Sequence, residues 1–125
     1  MITDEYKARI AHVCWEANRA YNSQIRPDAI PAMPAWYDLP NSQKNSIING
    51  INYLISHPEA TIKENHENWL KYKRAEGWVF GIDNNCVLKT SPYLKEFDEL
   101  SSESKLKDLI FVTLVRAMTN EICTA

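Results

Sequence analysis

The residues of this chain that can do chemistry are suited to holding charge and flat rings, not to breaking bonds. Arg19 offers a planar guanidinium fork and Lys89 a point charge on a flexible stem, two ways of gripping a phosphate. Trp69, Trp78 and Phe80 lie close in sequence and can stack on a base, a contact of about 1–3 kcal/mol. Trp36 stands on a proline-rich loop, and loops laid over a scaffold often carry function. Asn45 and Asn49 are four apart on one expected helix and can read a base or ribose edge with their amides. Tyr21 and Asn18 accompany Arg19. Each has a plainer role beside this one: core packing for the rings, a solvated surface for the cations, a wet helix face for the amides.

His66 falls on the apolar face of an expected helix with Glu67 beside it. It reads first as a core histidine giving a ring N–H to a carbonyl or carboxylate, and second as part of a ligand site. His12 and His57 sit on other segments, and no paired His or Cys spacing supports a metal. There is no Gly-x-Ser-x-Gly elbow, no phosphate-cradling glycine loop and no dinucleotide fingerprint. Cys14 and His12 are two apart on a helix and point to different faces, so they do not make a nucleophile and its base. Nothing places Glu16 and Glu67 together as acid and base. The expectation is a binding protein, not an enzyme, with no cofactor and no metal.

These side chains must be positioned by a small body. The 125 residues fit one domain, 1–125, and at 45% hydrophobic and 24% charged they have the balance of a folded soluble protein. A net charge of -2 excludes a generic, charge-driven binder of DNA or RNA but leaves room for a basic pocket. Cys14, Cys86 and Cys123 fit neither a disulfide framework nor a zinc knuckle, so reduced thiols in a cytoplasmic setting are expected. The acidic start at residues 1–5 does not resemble a signal peptide, and the apolar run 109–115 is too short to span a bilayer, so no membrane association is expected.

Hydrophobic spacing predicts four helices. The first follows Thr3 as N-cap, with Asp4 and Glu5 in its first turn and an apolar stripe of Tyr6, Ile10, Val13, Cys14, Ala17 and Tyr21. Pro27, Pro31, Pro34 and Pro40 make 22–40 a loop, and its Met33, Trp36, Tyr37 and Leu39 predict that it packs down on the domain. The second helix covers 41–56 and stops before Pro58. The third runs from Thr61 to Gly77. Two β-prone runs, 78–80 and 86–88, flank a turn at 81–85 and predict a small hairpin. The last helix, from Ser101 or Ser102 to about 122, is apolar nearly all round, so it is either central or half covered by another chain. The fold class is mainly α: four helices with a short β-prone insertion between the third and fourth.

Several segments together resemble the RyR domain, the repeat of ryanodine receptors found also in bacterial and phage proteins. They are His66-Glu67-Asn68-Trp69, the turn Gly77-Trp78-Val79-Phe80-Gly81, Lys89-Thr90-Ser91-Pro92-Tyr93-Leu94, Phe97-Asp98-Glu99-Leu100, and Lys107-Asp108. Upstream, the stretch from Ala11 to Tyr21 is similar to the family's first helix, and Trp36-Tyr37-Asp38-Leu39-Pro40 to the segment before its second. Ser91 stands where the family usually has His, and Asn84-Asn85 where an Arg-Asp pair is common. The resemblance implies recognition of a small nucleotide-derived signalling molecule of the cyclic-nucleotide or ADP-ribose type. It also implies a free binding protein, such as a phage protein that sequesters a host immune messenger in the host cytoplasm. A sensor that once belonged to a larger receptor is the variant of that reading. A homo-oligomer built on the last helix is expected. The rival is a protein-interaction module that docks a partner through the last helix and the Trp36 loop.

Overall fold

A computed structural model describes residues 2–29 and 32–120. Helix α1, Asp4–Ile25, opens where the Thr3 hydroxyl accepts the Tyr6 amide at 3.1 Å, with two carboxylates in the positive first turn. It runs past Tyr21, beyond the point where the proline spacing predicts a loop. No backbone donor is missing before Pro27, so the helix continues until the Arg26 N–H closes on the Asn22 carbonyl at 2.8 Å. The proline-rich arm that follows carries a one-turn 3₁₀ helix, Trp36–Asp38; Trp36 and Leu39 are buried and Met33 half-buried, as expected of a loop packed on the body, whereas Tyr37 stands 82% exposed. Helix α2, Asn41–Ser56, ends before Pro58. Helix α3, Ile62–Ala75, starts with a reciprocal Thr61–Glu64 capping box, and Gly77 just beyond it takes φ +90°, a left-handed conformation that favours glycine. Helix α4, Ser102–Thr119, is capped by the Ser101 hydroxyl and ends short of the expected 122, with Asn120 already extended; 121–122 lie outside the described residues.

The main core joins Ile10, Ala11 and Cys14 of α1, Ile51 and Leu54 of α2, and Val112 and Val115 of α4, with Trp36 and Leu39 sealing one side. Helix α4 packs on all three other helices, as α2 does, so it is one of the two inner elements of the bundle. Leu106 and Leu109 stay partly in solvent on its far side. Gly50 admits the Phe111 ring between α2 and α4: a Cβ there would lie 3.1 Å from Phe111 Cζ. The Tyr6 hydroxyl donates to the Met118 carbonyl at 2.7 Å, tying the start of α1 to the end of α4. A second, smaller core holds Leu70, Trp78 and Leu94, with Trp69 against them.

The expected hairpin does not form. Strand β1, Val79–Phe80, pairs in parallel with β2, Thr90–Ser91, in the register Val79 with Thr90 and Phe80 with Ser91. Residues 86–88 lie in the turn between them. The Asn85 side-chain oxygen accepts the amides of Val87 and Leu88, both at 2.9 Å, and this local Asx-type capping removes them from any ladder. Asn85 and Thr90 exchange both backbone hydrogen bonds at 3.0 Å, and Lys89 adopts φ +54° to bring the chain round. At the mouth of the turn, a Cβ on Gly81 would fall 2.6 Å from Thr90 Cβ, so only glycine lets the two segments approach this closely.

Candidate functional site

Glu16 and Arg19, one turn apart on α1, hold the proline-rich arm. Glu16 Oε2 accepts the Trp36 amide at 3.0 Å and its Oε1 accepts Arg19 Nη1 at 2.8 Å. Arg19 Nε donates to the Met33 carbonyl at 3.2 Å, and Trp15 Nε1 to the Pro34 carbonyl at 2.8 Å. Three side-chain contacts thus satisfy backbone groups of an arm whose prolines keep it out of any helix or ladder, and the Glu16–Arg19 pair holds two of those side chains in place. The Trp36 N–H is the main reason that the Glu16 carboxyl titrates below its ordinary value; partial burial works the other way, and Arg19 adds to the lowering.

The arm stands off the end of α1 and leaves a cavity of about 350 Å³. That volume is at the lower end of the range of small-molecule sites. Glu16, Arg19, Asn22 and Arg26 line it on the helix side, and Pro27 and Met33 on the arm side. Arg19 spends two nitrogens on Glu16 and Met33, while Arg26 forms no ion pair with any described residue. Buried Asn22 accepts Lys107 Nζ at 2.7 Å through its side-chain oxygen, and the same ammonium donates to the Tyr93 hydroxyl at 3.1 Å. Among the residues that line the cavity, two arginines thus stand against one carboxylate, Glu16.

The aromatic residues lie elsewhere. Trp36 is buried in the main core, its ring stacked on His12 at 5.5 Å between centroids, with Lys44 Nζ 4.8 Å from the ring centre. Trp78 is buried in the second core, with Trp69 half-buried against it and His66 5.5 Å from Trp69. Phe80 is largely in solvent, with Lys95 Nζ 5.9 Å from its ring centre. His66, Trp69, Trp78 and Phe80 thus belong to one neighbourhood around the end of α3 and the segment that follows, and none of them lines the Arg19 cavity. Tyr21, on α1 beside Arg19, is half-buried and is not in the cavity wall. Asn45 is exposed, whereas Asn49 accepts the Asn68 amide at 3.1 Å between α2 and α3. Lys89 lies away from the cavity, with its Nζ donating to the Glu76 carbonyl at 2.8 Å.

Two buried ionisable groups stand in or beside the second core. His66 Nε2 lies 2.8 Å from the Lys95 carbonyl, and its Nδ1 lies 3.5 Å from Asp108 Oδ2. Burial works against the charged ring, yet Asp108, the Lys95 carbonyl and more distant Glu96 outweigh it, so His66 titrates above its ordinary value. Lys73 is buried with Nζ 2.8 Å from Gln43 Oε1 and 4.4 Å from the centre of the Trp78 ring. Burial lowers its pKa; Glu76 and Cys86 oppose that from further off. Burial also pushes the Cys14 thiol up to about 12, which keeps it protonated and inert. Cys86 is an exposed free thiol, and Cys123 lies outside the described residues.

The structure thus divides what the sequence offers as one constellation into a cationic cavity at the end of α1 and an aromatic neighbourhood around α3. Arg26, Asn22 and Lys107 are the contributors that spacing did not single out. Arg26-Pro27 does mark the end of the helix, but Lys107 reaches Asn22 across 85 positions, which no local pattern reports. Among the described residues, no group of three or more His, Cys, Asp or Glu side chains is placed to hold a metal ion, and no helix is long and apolar enough to cross a membrane. Compared with known proteins, the chain matches no family model, no curated protein and no solved structure.

Proposed function

We infer that this chain binds, without altering it, a small phosphate-bearing ligand of the nucleotide class in the cavity between the end of α1 and the proline-rich arm. The observation that carries this reading is the charge around the cavity: Arg19 and Arg26 in the wall against Glu16 alone. Arg19 is already held in place by Glu16 and Met33, so little ordering entropy is lost when its remaining N–H groups meet an anion. Arg26 at the rim adds an unmatched charge. Met33 and Pro27 offer apolar surface for the rest of the ligand. The likeness of the sequence to the RyR domain supports a nucleotide-derived signal as ligand and sequestration as the purpose, with the protein working in the cytoplasm.

The test is thermal unfolding against cyclic dinucleotides, cyclic trinucleotides, and linear and cyclic ADP-ribose. A ligand at 100 times its dissociation constant adds about 2.7 kcal/mol, a shift of several degrees for a domain of this size. One class shifts the wild type, is recovered with unchanged mass, and shifts Arg26→Glu far less. No shift with any of them overturns the reading.

A further inference from the structure

We propose that the turn between β1 and β2 is a self-association surface, and that its occupant is a second copy of this chain related by a two-fold axis. The turn is built to present apolar groups. Val79, Phe80, Ile82, Val87 and Leu88 are 56, 55, 87, 90 and 69% exposed within ten residues, although the main-chain atoms that carry them are fixed. Asn85 caps two amides, Asn85 and Thr90 exchange a bonded pair, Thr90 Oγ1 donates to the Asp83 carbonyl at 2.9 Å, and Gly81 is wedged against Thr90. A rigid turn loses little freedom on docking, so apolar groups held this way favour association more than the same groups on a mobile loop.

Three observations favour a second copy as the occupant. The first is area. Five large apolar residues, each more than half exposed within ten positions, are a cluster that a lone monomer rarely leaves uncovered, and a two-fold contact covers both copies of it at once. The second is the sheet edge. Val79 donates to the Lys89 carbonyl at 2.9 Å and Gly81 to the Ser91 carbonyl at 3.2 Å, so by alternation the Phe80 N–H and C=O face away from β2. The outer edge of β2 is taken by Asn85, which leaves β1 as the open edge among the described strands. An antiparallel meeting of two β1 strands at Phe80 satisfies both groups reciprocally. The third is charge. Asp83 and Lys89 are exposed on the same turn, neither in an ion pair with a described residue, and Lys89 meets only the neutral Glu76 carbonyl. In an isologous contact each faces its opposite, so the surface is complementary to itself. The surface is independent of the Arg19 cavity and stands whether or not that cavity binds a nucleotide.

Sedimentation equilibrium over roughly 1–300 µM, the range of weak to moderate dimers, tests this. The wild type passes from monomer to dimer. Ile82→Lys with Val87→Lys, at solvent-facing sites and with an unchanged Tm, weakens the dimer by at least about tenfold. Asp83→Lys and Lys89→Asp each weaken it, and the double exchange restores it. A wild type that stays monomeric, or a dimer untouched by the Ile82/Val87 change, overturns the proposal. Co-flotation of monomeric wild type with phosphatidylcholine vesicles also overturns it and gives the turn to a lipid surface.

Discussion

His66 and Asp108 face each other between α3 and α4, with the other ring nitrogen of His66 turned to the Lys95 carbonyl. Both ring nitrogens therefore look at acceptors. Only the imidazolium can donate towards both, and Asp108 Oδ2 is buried with no hydrogen-bond partner among the described residues, so the 3.5 Å ion-pair contact is what offsets its burial. A single added proton thus serves the loop before α4, the first turns of α3 and the first half of α4 together.

Stability follows from that proton. Because the folded His66 holds it more tightly than the unfolded chain does, the contribution is complete below the ordinary value of 6.5 and is lost as pH rises through the raised folded value. Chemical unfolding at a series of pH values shows wild-type stability declining through that window. Asp108→Asn removes the carboxylate and flattens the decline. A slope unchanged in the variant places the pH dependence elsewhere.

The Glu16 latch titrates in the opposite sense. Its carboxyl is held below the ordinary 4.5, so its contribution is present above that value and is lost as pH falls through the lower folded value. Glu16→Ala costs about 1 kcal/mol, a modest figure because the side chain is partly in water. The amide of Trp36 then exchanges with deuterium faster, while amides in the middle of α4 do not.

Lys73 and Gln43 make an unequal pair. Lys73→Met replaces a buried ammonium by an apolar chain of similar length against Trp78 and changes stability by less than about 1 kcal/mol. Gln43→Leu leaves the ammonium buried without its hydrogen-bond acceptor and costs about 2 kcal/mol. The folded Lys73 has a lowered pKa, so wild-type stability relative to Lys73→Met rises as pH climbs from that lowered value towards 10.5. Urea midpoints of the three proteins at two pH values check all of this.

Gly81→Ala sets a methyl group 2.6 Å from Thr90 Cβ and opens the turn. Overpacking of this kind costs about 1–3 kcal/mol. Its signature is local: the amides of Val79 and Asn85 lose protection, whereas those of α1 and α4 keep theirs. Thr90→Gly in the same chain restores the space and with it much of the protection.

The helices were legible because each carries its own punctuation: the hydroxyls of Thr3, Thr61 and Ser101 accept first-turn amides, and Pro58 and Gly77 mark ends. The end of α1 was harder, since residues 22–25 contain no breaker and only the later Pro27 decides. The pairing of β1 with β2 was not legible at all. Val87 and Leu88 have strand-forming side chains, and what removes them from a strand is one amide oxygen at Asn85. For the site, the types of cation and ring could be read from the chain, but their grouping could not. Arg19 meets Met33 and Lys107 meets Asn22 through contacts that depend on the packed arm and on α4, whose partners no local period encodes.

The main core has one further consequence, for the making of the protein. Ile10, Ala11 and Cys14 rest on Val112 and Val115, so α1, made before the other three helices, waits for α4 before its apolar stripe is covered. Until then α1 has only α2 and the arm for shelter. This core therefore closes only once α4 has emerged, and a nascent chain halted before residue 112 exposes that stripe to chaperones and to other unfinished copies of itself.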